Sequence, residues 1–225
     1  MTAIRNISAT FFDMDGTLVD SETLTGPTVE KLCGELGVHD AVIEPTQLYG
    51  LSWLDIEKIL LETYPQLAGK ADIPGRLQEI FHEMLRDTPP PLIRNSRESV
   101  LAANRLMATA IISSSGRETI EETIRRMDIA DSINYYAGFE DYDRCKPAPD
   151  GYLKAADALQ INVSECLVFE DSIVGLQAAK NAGMQVVAIT HRCNDIPTAN
   201  EIADQTITDY TELEDGFFDL IRKRD

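Results

Sequence analysis

Residues 8–21, SATFFDMDGTLVDS, set two aspartates two positions apart, directly after a short apolar run and directly before a glycine. The run Ala9 to Phe12 has the β-branched and aromatic character of a short buried strand. Asp13 therefore falls at its carboxyl end, and Gly16 marks the turn that follows. In an open α/β sheet that end is where ligands bind. A single Asp before Gly more often caps its own turn. A calcium loop requires acidic or amide residues at its first, third and fifth places and Gly at its sixth; Thr17 and Leu18 stand at the last two here. The aspartate pair therefore needs partners further along the chain.

The 225 residues accommodate one large α/β domain, or a core domain carrying a smaller insertion. After the opening strand the character changes. Pro27 to Leu36, Leu54 to Tyr64 and Pro74 to Asp87 carry apolar residues at three- and four-residue spacing with no strand between them, until Pro89-Pro90-Pro91 ends the pattern. This predicts an all-helical insertion over 21–89 and a core made of 1–20 and 90–225. In the core, helices alternate with strands: helix Ser96 to Met107 (capped by Asn95 or Ser96), strand ATAII, helix Arg117 to Met127, strand NYYAG, helix Pro149 to Leu159, strand CLVFE, helix Ser172 to Ala182 and strand QVVAI. A weaker strand at Thr206 to Thr208 and a helix at Leu213 to Lys223 complete it. Such alternation predicts an α/β fold, a parallel sheet with helices on both faces.

The formal net charge of −18 argues against a general nucleic-acid or anionic-membrane surface. No apolar run reaches the roughly 18 residues of a membrane span, and no export signal is read at the N-terminus. The cytoplasm is the expected location, and no obligate protein partner is evident. Cys33, Cys145, Cys166 and Cys193 are widely spaced with no C-x-x-C, a pattern of reduced thiols rather than of a zinc site or disulfide framework.

Three expected strands end in polar residues: Asp13 and Asp15, then Ser113, then Glu170 and Asp171. In a parallel sheet those ends share one edge, so the residues converge if the strands are neighbours. The chemistry they fit is phosphoryl transfer through a carboxylate. Asp13 would attack phosphorus, and Asp15 would protonate the leaving oxygen and later deprotonate the attacking water. A phosphate dianion beside so many carboxylates needs cations. Lys146 is one; Mg²⁺ held by Asp13, Asp171 and the backbone carbonyl of Asp15, with Glu170 adjoining, is the other. Ser113 and the stretch after it, Ser114, Ser115, Gly116 and Arg117, would bind the phosphate and substrate.

With these residues in order, the chain resembles the haloacid dehalogenase-like hydrolases, in the branch of sugar-phosphate phosphatases and β-phosphoglucomutases. DMDGTLVDSE matches the first family motif at Asp13 and Asp15, and IISSSGRE the second at Ser113. KPAPDGYL matches the third at Lys146, and VFEDSIVGLQAAKNAG the fourth at Glu170 and Asp171. The resemblance implies a Rossmann-like core, a Mg²⁺ cofactor and a helical cap inserted after the first motif. It also implies a small phosphorylated metabolite as substrate. Mutases of the branch carry a basic cap residue where Trp53 stands and a histidine where Thr25 stands, so the resemblance favours a phosphatase over a mutase. A binding protein on the same fold is the non-catalytic alternative. Trp53 is either an apolar substrate contact or part of the insertion's own core.

Overall fold

The computed structural model describes residues 4–40, 43–49, 51, 53–193 and 195–223; the remaining positions of the expected core and insertion lie outside the described residues. Two compact units result, one of Met1–Asp20 with Leu92–Asp225, the other Ser21–Pro91.

The first unit is built on six parallel strands: β1 (Ala9–Phe12), β2 (Ala108–Ile112), β3 (Tyr135–Ala137), β4 (Cys166–Glu170), β5 (Gln185–Ile189) and β6 (Gln205–Ile207). They lie in the order β3-β2-β1-β4-β5-β6. β1 is thus central, with the strand order reversing beside it, which is the switch point where α/β sheets bind ligands. Register sets the edge. Phe12 is level with Ile111 of β2 and Phe169 of β4, so Asp13 emerges beside Ile112 and Glu170. Ser113 and Asp171 follow one residue further on.

Alternation along the strands divides the core in two. Phe12, Ile111, Leu167, Phe169 and Val187 face one side, with helices α4 (Ser96–Asn104), α5 (Arg117–Met127) and α9 (Phe217–Ile221). Phe11, Ala110, Ile112, Val168 and Val186 face the other, with α6 (Asp150–Leu159), α7 (Ile173–Asn181) and α8 (Ile196–Ile202). On the first side the Phe12 and Phe169 rings stack with centroids 5.2 Å apart. Both are fully buried, each worth about 1.5–3 kcal/mol over an exposed ring. These two phenylalanines hold down the residues that follow them, Asp13 and Glu170.

The helical unit contains α1 (Thr25–Glu35), α2 (Trp53–Thr63) and α3 (Ile73–Asp87). Val29 and Leu32, Ile56 and Leu60, and Leu77 and Ile80 close its separate core. Arg76 of α3 reaches Glu35 of α1 through two hydrogen bonds, of 2.8 and 2.9 Å.

Several sequence expectations shift at their ends, most by one or two residues. α4 stops at Asn104, and neither proposed cap works through its side chain: Asn95 adopts φ +57°, and Ser96 Oγ donates to the Leu18 carbonyl instead. The expected helix from Leu213 shrinks to Phe217–Ile221 because Gly216 at φ +74° interrupts it. NYYAG keeps only its three central residues as strand. Among the described residues no helix is long and apolar enough to cross a membrane, and all four cysteines are free thiols.

Candidate active site

After β1 the backbone winds tightly. The Met14 carbonyl accepts from the N–H groups of Thr17, Leu18 and Val19 at 3.3, 2.8 and 3.1 Å, and Gly16 N–H donates to the Val19 carbonyl. Gly16 takes φ +79°, the left-handed region that side chains disfavour. The loop presents Asp13, 6% exposed, at the strand end, and brings Thr17 Oγ1 to within 3.0 Å of Asp171 Oδ1 as a donor.

Lys146, distant in sequence, enters this edge with its side chain 7% exposed. Its ammonium donates to Asp13 Oδ1 and to Glu170 Oε1, each at 2.6 Å, and stands 5.3 Å from the centre of the Tyr152 ring. Burial works against its charge, but Asp13 and Glu170 outweigh that and hold Lys146 well above the ordinary lysine range. Glu170 is fully committed to the protein. Oε1 accepts from Lys146 and Tyr152, and Oε2 from the N–H and hydroxyl of Ser172.

Asp13, Glu170 and Asp171 can bring one oxygen each to within 4.8 Å of one another. Fully ionised they carry −3 against the +1 of Lys146, leaving −2. The strain shows in their proton affinities. Burial pushes the Asp13 carboxyl up to about 7, with Lys146 opposing and Glu170 and Asp15 adding to the rise. Burial, then Glu170 and Asp13, raises Asp171 well above the usual carboxylate range. A divalent cation is the charge this donor set lacks, and hard carboxylate oxygens are the ligands Mg²⁺ takes. Asp13 Oδ2 and Asp171 Oδ2 have no hydrogen-bond donor among the described residues, whereas both Glu170 oxygens do. The residues present therefore fit such an ion.

The serines after β2 turn toward Asp15. Ser115 Oγ donates to Asp15 Oδ2 at 2.7 Å; Ser113 Oγ donates to the same oxygen at 3.3 Å and accepts from Ser115 N–H at 2.9 Å. Asp15 Oδ1 is buried with no hydrogen-bond partner among the described residues. Ser114 is exposed. Arg117 is spent elsewhere, donating through one nitrogen to both Asp141 oxygens, at 2.9 and 3.0 Å, and lying over the Tyr136 ring at 4.6 Å. Gly116 opens α5 and leaves room for Glu140, whose carboxylate accepts from Arg117 N–H. Trp53 belongs to the helical unit, half-buried at the start of α2 with its ring edge-on to Phe81 at 5.4 Å.

The structure thus brings Asp13, Asp15, Ser113, Ser115, Lys146, Glu170 and Asp171 together on one sheet edge, while the Arg117 side chain is engaged away from them. Sequence reasoning missed Thr17, Tyr152, Ser172 and Gly175. Thr17 and Ser172 adjoin recognised motif residues and were within reach. Tyr152 and Gly175 matter through packing around Glu170: a Cβ on Gly175 would lie 1.7 Å from Glu170 Oε1.

The chain is similar to several known proteins. Hexitol phosphatase B of Escherichia coli K12 is 27% identical over 219 residues, spanning 95% of this chain and 97% of that protein. The bifunctional riboflavin kinase/FMN phosphatase of Arabidopsis thaliana is 26% identical over 194 residues; the match takes in 81% of this chain, which spans about half of that relative, 48%. A HAD family hydrolase from Deinococcus radiodurans R1, solved with phosphate and sodium bound, superposes with a TM-score of 0.74 at 23% identity, covering 97% of this chain and 99% of that one. The sequence profile of the haloacid dehalogenase-like hydrolases matches residues 10–189, most of the core together with the whole helical unit, and the chain belongs to that family.

Proposed function

We propose that this hydrolase is a Mg²⁺-dependent phosphatase of a small phosphorylated metabolite, a sugar or sugar-acid phosphate, working through a phosphorylated Asp13. The observation that carries this reading is the buried Asp13 carboxylate fixed by Lys146 at 2.6 Å, with Asp15 two residues away. Asp13 attacks phosphorus as the ester P–O bond breaks, and Asp15 gives its proton to the departing oxygen. Water then attacks the aspartyl phosphate, Asp15 takes the water's proton, and inorganic phosphate leaves with Asp13 restored. Lys146 offers its ammonium to the phosphoryl oxygens, and the Ser113 loop supplies backbone N–H donors. Asp13, Asp171 and the Asp15 carbonyl are the groups that would hold Mg²⁺, which would supply neutralising charge to those oxygens. Glu170 supports the set by fixing Lys146. The similarity to a hexitol phosphatase favours a phosphorylated sugar or polyol.

The test is a screen of phosphorylated metabolites for phosphate release with Mg²⁺, run beside Asp13→Asn. Release without a bisphosphate activator separates a phosphatase from a mutase. Turnover retained by Asp13→Asn, or no release from any ester, would overturn the reading.

A further inference from the structure

We infer that Ser115 is a positioning residue that aims Asp15, and not a ligand of the substrate phosphate; the inference rests on the phosphatase reading above. A serine hydroxyl has one proton to give. Ser115 gives its proton to Asp15 Oδ2 at 2.7 Å. A phosphate ester dianion offers only acceptors, so a hydroxyl already donating to Asp15 has nothing to donate to it. Ser113 differs. Its contact with Asp15 is longer, 3.3 Å, and its oxygen is also turned by the Ser115 N–H it accepts, so it can exchange Asp15 for a phosphate oxygen more readily.

Both serine protons converge on Oδ2, and this defines the role of the other oxygen. Asp15 Oδ1 is buried and has no partner among the described residues, so it is the atom left to hand a proton to the ester oxygen when the P–O bond breaks and to receive one from water afterwards. The carboxylate torsion of an aspartate is broad. Without a fixed partner on Oδ2, Oδ1 has no fixed direction. Ser115 is itself well held: it is 8% exposed, and its carbonyl accepts from Phe139 N–H at 3.2 Å. Supporting contacts of this kind keep a reacting group within productive geometry.

The experiment uses the full chain with Mg²⁺ and compares kcat/KM on 4-nitrophenyl phosphate, whose leaving oxygen departs without a proton, with kcat/KM on the best alkyl phosphate from the screen. Ser115→Ala is expected to lower the alkyl value about 10- to 100-fold, less than the roughly 10²–10⁴-fold worth of the general acid itself, and the aryl value less than about threefold. The inhibition constant of inorganic phosphate should not move, and Ser115→Thr, which keeps the hydroxyl, should restore the alkyl rate. An equal fall on both esters with weaker phosphate inhibition would make Ser115 a phosphate ligand and overturn the inference while the phosphatase reading stands. A wild-type alkyl rate in Ser115→Ala beside a slow Asp15→Asn would also overturn it alone. A wild-type alkyl rate in Asp15→Asn would remove the acid role, and the inference with it.

Discussion

A Cβ placed on Gly16 would lie 2.1 Å from Asp171 Oδ2. The first turn of the chain and the end of β4 approach so closely that only hydrogen fits between them. Gly16→Ala must therefore displace Asp171 as well as strain a backbone at φ +79°, at a conformational cost of about 1–2 kcal/mol. We expect a roughly 10- to 100-fold loss of Mg²⁺ affinity, the range seen when a supporting contact of a metal ligand is lost. Calorimetric titration checks it, and wild-type affinity would show that Asp171 is not a ligand.

Gly175 protects the other end of the ion-pair network. Any side chain there collides with Glu170, the fully buried partner of Lys146. Separating a buried pair costs about 3–5 kcal/mol. Gly175→Ala should lose at least about 2 kcal/mol of that in urea unfolding, and a change under about 0.5 kcal/mol would show that α7 simply shifts.

Without metal, the elevated Asp13 and Asp171 make the folded protein bind protons that the unfolded chain has already released. Their contribution is fully present below the ordinary carboxylate range and is lost as pH rises toward about 7 for Asp13. Mg²⁺ competes with those protons. The stabilisation on replacing chelator with Mg²⁺, followed by thermal unfolding, should thus be larger near pH 8 than near pH 5.5, approaching about 2.7 kcal/mol at 100 times Kd. Asp171→Asn should abolish the difference, and a metal shift independent of pH would count against these carboxylates.

Asp20, 6% exposed, accepts from Arg192 Nε at 3.1 Å and Nη2 at 2.7 Å. Arg192→Ala removes these two donors from a buried carboxylate that still has His191 Nε2 at 3.3 Å, and about 1–3 kcal/mol of stability should go with them. Thermal unfolding measures it, and an unchanged midpoint would mean that Asp20 finds equivalent donors.

Trp53 meets Phe81 edge-on inside its own unit. Trp53→Ala should lower stability by about 1–3 kcal/mol, less than for a fully buried ring, and slow dissimilar phosphate esters in parallel. Rates that diverge among three substrates at an unchanged melting temperature would make Trp53 a substrate contact.

The central strands and α5 could be read from the sequence almost to the residue, because short apolar runs bounded by Asp, Ser or Gly have few ways to sit in a parallel sheet. Asp13, Ser113 and Asp171 could be expected together because three strand ends had to share an edge, whereas Lys146, outside the strands, was reached only through the need for a cation and the family motif. What escaped depends on distances between side chains. Nothing in SSSG says which hydroxyl turns to Asp15, nothing in VFEDS says that Glu170 is saturated by Lys146, Tyr152 and Ser172, and nothing in ITHRC pairs Arg192 with Asp20. The terminal helix was overextended because periodicity ran through Gly216, whose positive φ breaks it.

The chain leaves the sheet-bearing unit after Asp20 and re-enters at Leu92, and these margins are stitched together. Val19 pairs antiparallel with Leu92, and Ile93 N–H and Ser96 Oγ both donate to the Leu18 carbonyl, at 3.0 and 2.9 Å. The sheet-bearing unit thereby closes the mouth of the excursion with hydrogen bonds outside its strands. Loop-closure entropy grows only as the logarithm of length, about 0.6 kcal/mol per doubling, so the sheet is nearly indifferent to how many residues the excursion contains. That seam is a clasp: it ties Leu18 and Val19 to Leu92, Ile93 and Ser96 through contacts that involve no residue of the excursion itself.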